Sequence, residues 1–129
     1  MLVPSLMLVL IALTGIAIDL TLLHLSHRSL HRAVSAAADD AASMIDERHL
    51  QLSGELRIDE QRATTVAMAR MGIADTPGRI DAVTVSFGPG GDTVTVAVDA
   101  EVDHIVLRAA PGIGATEQLV VRAASRLHR

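Results

Sequence analysis

The chain has no cysteine, no tryptophan and no tyrosine, and Phe87 is its one aromatic side chain outside the histidines. Without cysteine there is no disulfide framework, no thiolate metal site and no cysteine nucleophile. With one aromatic ring there is little to stack on bases or sugars, so the core must be built from Ala, Val, Leu and Ile. Lysine is absent as well: all 11 cationic Lys/Arg side chains are arginine. The formal net charge is -4, and no basic run breaks it. Phosphate binding needs clustered cations, so a nucleic-acid partner is excluded from the expectations. No P-loop can be completed without a lysine. No G-x-S-x-G elbow and no H-E-x-x-H pair occurs, and Gly112-x-Gly114 lacks the third glycine of a dinucleotide site. The expectation is a non-enzyme with no cofactor, no metal and no small-molecule substrate.

What is present begins at the N-terminus. Half of the 129 residues are hydrophobic, and they concentrate in residues 1–18, which carry no charge. After Asp19, apolar residues resume as Leu20, Leu22, Leu23 and Leu25. At about 1.5 Å per residue, residues 2–25 make a helix roughly 36 Å long, enough to cross a hydrocarbon core of about 30 Å with some tilt. Nothing basic precedes the stretch, and the small-residue run Ser35-Ala36-Ala37-Ala38 lies too far downstream for a signal-peptide cleavage site. A soluble helix this apolar would need a larger domain to wrap it. The reading is therefore a single membrane-spanning helix.

Asp19 lies near the far end of that stretch, where a carboxylate costs less than the ~2.5–3.5 kcal/mol of the bilayer centre. Its neighbours at i+3 and i+4 are Leu22 and Leu23, so no cation on its own helix can pair with it. It is expected either to reach water at the interface or to meet a counter-charge from a partner helix. Arg28 and Arg32 follow the span, which by the positive-inside rule alone places the C-terminal part in the cytoplasm.

No Gly or Pro interrupts residues 21–47, so the helix is expected to continue beyond the membrane. Leu30, Val34, Ala37, Ala41 and Met44 recur at spacings of four and three, a stripe of small and medium residues facing one surface. Packing on the chain's own sheet is the first reading of the stripe, and a bundle with other subunits the second. His24, His27 and His31 share a helix face, an arrangement that can bind a divalent metal, but no acidic residue sits at a matching position to orient them. A second helix is expected from Asp59 as N-cap, with Glu60 in its first turn and Gly72 as its stop; Ala63, Val66, Ala67 and Met71 form its buried face.

Beyond residue 79 the period changes to two. Val83, Val85 and Phe87 alternate with polar residues, Gly88-Pro89-Gly90-Gly91-Asp92 turns the chain, and Val94, Val96, Val98, Ala100 and Val102 alternate in turn. Residues 104–110 read as a short helical connection, and Leu119, Val121 and Ala123 as a third strand. Asp99, Glu101 and Asp103 line the polar face of the second strand, as a solvated acidic face; no calcium loop accompanies them. The expected fold is α+β: a transmembrane helix (1–25), a long helix plus a second helix (26–79), and a three-stranded antiparallel sheet (80–129).

The order of parts carries a resemblance. Gly15-Ile16-Ala17-Ile18-Asp19-Leu20 at the end of the span, followed by Leu30-His31-Arg32-Ala33-Val34-Ser35-Ala36-Ala37-Ala38-Asp39-Asp40-Ala41-Ala42, resembles the TadE/TadG-like proteins of tight-adherence (Flp) pilus assembly. The likeness extends through the strand pair and the closing strand. It implies a pilin-like fold, a place in the inner membrane, a C-terminal domain outside the cytoplasm, and partners among other pilus-assembly subunits. On this resemblance Gly15, Asp19, Leu30, Val34, Ala37, Ala41 and Met44 form the membrane and partner helix, and no catalytic residue is carried over. Pilin-like members carry a basic leader ahead of the apolar stretch, which Leu2-Val3-Pro4 does not show; such a leader would reverse the orientation that Arg28 and Arg32 suggest. The rival reading is a membrane-tethered extracytoplasmic ligand- or metal-binding sensor domain.

Overall fold

A computed structural model of the chain describes residues 2–76, 78–106, 112, 114 and 116–127. One helix, α1 (Leu2–Ala42), runs for 41 residues without a break and continues past residue 25, as the uninterrupted stretch after Asp19 leads one to expect. Pro4 falls in its first turn, where the missing N–H has no intrahelical partner to lose. A short helix α2 (Glu47–Ser53) and a longer one α3 (Glu60–Ile73) follow. Three strands complete the chain: β1 (Arg79–Phe87), β2 (Thr93–Asp103) and β3 (Thr116–Arg126). They form one antiparallel sheet in the order β1-β2-β3, so the α+β expectation holds.

The first departure from the sequence reading is where α1 ends. The helix stops at Ala42 rather than continuing to Glu47. Ser43 shares its N–H between the carbonyls of Asp39 and Asp40, at 3.2 Å each, and Met44 bonds to Ala41 at 3.1 Å, so the last turn tightens. Residues 44–46 then pair with the stretch before α3. Asp59 donates its N–H to the Met44 carbonyl and Asp46 its N–H to the Arg57 carbonyl, both at 2.8 Å, around an Ile45–Ile58 bridge. Two inter-segment hydrogen bonds and the burial of Ile58 replace the helical bonds that further turns would have made.

α2 was not expected. Its N-cap is Asp46, whose carboxylate accepts the His49 N–H at 3.0 Å, and its C-cap is Gly54 in the left-handed region (φ 73°). α3 begins as expected: Asp59 caps it by accepting the Arg62 N–H at 3.1 Å. It runs one residue past Gly72, to Ile73. Ala63, Ala67 and Met71 are buried, while Val66 is half-buried.

The sheet follows the alternation in the sequence. Val94, Val96, Val98 and Ala100 of β2 are buried. The register sets Val98 between Val83 of β1 and Val121 of β3, and Val96 between Val85 and Ala123. Apolar rows therefore cross all three strands on one face, and they meet the stripe of α1 and the inner face of α3 in one core. The connection expected to be helical is not so where it is described: residues 105–106 are a bend after β2, and residues 107–110 lie outside the described residues.

Candidate functional site

The two halves of α1 live in different surroundings. From Leu30 onward its stripe is core: Leu30 is 2 % exposed, and Val34, Ala37 and Ala41 are fully buried. Met44 lies beyond the helix end, half-buried against the same core. These five residues of the expected partner face therefore pack against the chain's own sheet and α3, the first of the two readings the stripe allowed. Before Asp19 the helix is bare and apolar on nearly every side, with Leu6 71 % and Leu10 64 % exposed. Two threonine hydroxyls around this stretch turn back on their own backbone. Thr14 donates to the Leu10 carbonyl and Thr21 to the Ala17 carbonyl, both at 2.8 Å.

Where the halves join, Gly15 and Asp19 are buried one helical turn apart on a single face. The face is covered by the bend after β2. Asp19 Oδ1 accepts the backbone N–H of Ile105 at 3.1 Å, and both carboxylate oxygens accept the N–H of Val106 at 3.1 Å. These are charge-assisted bonds in a water-poor setting, the geometry in which a buried carboxylate is tolerated. Gly15 makes the approach possible: a Cβ there would stand 2.4 Å from Val106 Cγ1, well inside contact distance. The carboxylate is buried rather than open to water, and it is met by amides 86 and 87 residues away in the same chain. A single helix among the described residues is long and apolar enough to cross a membrane, and Asp19 lies within it.

No family model, curated protein or solved structure matches the chain. What the site does is therefore argued from its own geometry.

The other candidate clusters are arranged differently from a ligand site. His27 and His31 stack with ring centroids 6.5 Å apart and planes 10° from parallel, on the exposed side of α1. On the acidic strand, Glu101 is bound to Arg79 at 3.1 Å, and Arg79 also reaches Asp81 at 3.1 Å. Asp99 and Asp103 are exposed. Among the described residues no group of three or more His, Cys, Asp or Glu side chains converges as metal ligands would. At the root of the bend, His104 and Glu117 lie 3.6 Å apart, tying the end of β2 to the start of β3.

The sequence singled out Gly15 and Asp19 but missed Ile105 and Val106. A signal for them was present: two β-branched apolar residues directly follow the polar pair Asp103-His104, where the alternation of β2 breaks down.

Proposed function

We propose that the chain is a membrane-anchored, non-catalytic subunit of the pilin-like kind, similar to the TadE/TadG-like proteins of Flp pilus assembly. In this reading α1 crosses the inner membrane once and the α+β domain stands on the extracytoplasmic side. The observation that carries it is the division of one unbroken helix into a bare apolar half and a half that forms the core of a small domain. Bare leucines at this density are costly in water and at no cost in lipid. A domain built directly on the span, with no flexible linker, suits a subunit whose position in an assembly is set by its membrane helix. The upper stripe is occupied by the chain's own sheet, so contacts with other pilus-assembly subunits would use the lower, apolar half of α1 and the outer surface of the domain.

The test is topology. With no native cysteine in the chain, a single cysteine added after Arg129 can be labelled in intact cells with a membrane-impermeant maleimide. Labelling from outside is the expected result. Labelling only after lysis, with the protein present in the membrane fraction, would place the domain in the cytoplasm and end the pilus-subunit reading.

A further inference from the structure

The bend after β2 has a feature that its docking on α1 does not explain. Ile105 is 67 % exposed and Val106 38 % exposed, although both donate their amides to a buried carboxylate. Ile105 held outward, beside Val106 whose Cγ1 rests on Gly15 but which is only partly covered there, is costly in water. Their height along the helix gives a reason. Asp19 is six residues before Leu25, the last apolar residue of the first stretch, so at 1.5 Å per residue it lies about 9 Å inside the end of that stretch. Helix side chains at the same level, Ile16, Ile18 and Leu20, are exposed too. The bend is hydrogen-bonded to this level, so its side chains share the depth. Apolar elements that lie in a membrane interface bury their side chains to about 5–10 Å below the headgroups, the same depth.

We propose that Ile105 and Val106 insert in the lipid bilayer as a second membrane contact, held at depth by the carboxylate of Asp19. This inference rests on α1 being a membrane span. The occupant is lipid rather than a protein partner because the apolar surface of the bend is continuous with that of the span. The polar contact of His104 with Glu117 marks the level at which the chain returns to polar surroundings. Asp19 is a positioning residue here: it satisfies two amides that would otherwise face hydrocarbon, so the bend can enter lipid without bare donors.

The chain contains no tryptophan or tyrosine, so one introduced tryptophan reports on one place. Three variants, L10W in the span, I105W in the bend and L52W on α2, are reconstituted as full chains in phosphatidylcholine vesicles with brominated acyl chains, which quench tryptophan on contact. Leu52 is 82 % exposed. The expected result is strong quenching and blue-shifted emission at positions 10 and 105 and neither at position 52. Quenching at 10 with water-like emission at 105 would overturn the second contact and leave the span standing. No quenching at 10 in vesicle-bound protein would remove the span, and this inference with it. Adding D19A to I105W should lower the quenching at 105 without changing that of D19A combined with L10W; unchanged quenching at 105 would overturn the role given to Asp19.

Discussion

Placing a charge at Ala37 separates two accounts of the α1 stripe. Ala37 is fully buried at the centre of the core between Val34 and Ala41. An Ala37→Asp change adds three heavy atoms where there is no room, an overpacking cost of about 1–3 kcal/mol. It also buries a carboxylate without a partner; whether the group stays charged or takes up a proton, this adds about 1–3 kcal/mol or more. The sum, about 4 kcal/mol, is a large fraction of the stability of a domain of this size, for which about 5–15 kcal/mol is usual. The neighbouring Ala36 is exposed, so Ala36→Asp should stay within about 0.5 kcal/mol of the parent. The assay is trypsin cleavage after Arg122, in the middle of β3, with the protein in vesicles. Cleavage there needs the sheet to open, and its rate follows the open population. A 4 kcal/mol loss corresponds to a roughly thousandfold faster cut, at about 1.4 kcal/mol per factor of ten. Association with the vesicles should be unaffected, since the bare apolar half of α1 lies well before residue 37. If A37D were cut as slowly as A36D, the stripe would not be core, and a surface for another subunit would be the better account.

Two further outcomes follow from the packing and the caps. Val98 is fully buried between Val83 and Val121, so Val98→Ala should cost about 2–3 kcal/mol from lost transfer and the cavity left behind, read as a fall in Tm of about 10 °C or more in detergent; a fall of a degree or two would contradict the register. Asp59→Ala removes the cap of a helix with three buried residues and should cost about 1 kcal/mol of stability, read as a lower denaturant midpoint, whereas Asp46→Ala, capping α2 with no buried residues, should leave the midpoint in place and show only as faster amide exchange at His49.

How far the fold was legible in the sequence depends on the range of the interactions. The alternation of Val94, Val96 and Val98 and the i, i+4 spacing of Leu30 and Val34 come from periodicity along one element, and both elements form with the burial they imply. The end of α1 was not legible, because no glycine or proline marks it. It is set by pairing of residues 44–46 with residues 57–59, which no local pattern announces. α2 buries no residue and so leaves no apolar period; Asp46 and Gly54, its caps, were the readable sign. For Asp19 the search for a partner went to the helix neighbours Leu22 and Leu23, where it found none. Backbone amides of Ile105 and Val106 are among its partners, a side-chain-to-main-chain contact to which residue identity gives almost no clue.

The unbroken course of α1 through residues 20–42 has a mechanical meaning. With no hinge between the buried half and the bare half, the domain is keyed to the span like a blade to a shaft, and each residue of helix fixes about 100° of azimuth. One residue inserted between Leu25 and Ser29 would swing the sheet by that angle around the helix axis and raise it by about 1.5 Å, carrying the bend off the face of Gly15 and Asp19. Rotation of the bare half of α1 is therefore rotation of the whole α+β domain, so any turning or tilting imposed on that half reaches the far surface of the sheet without loss.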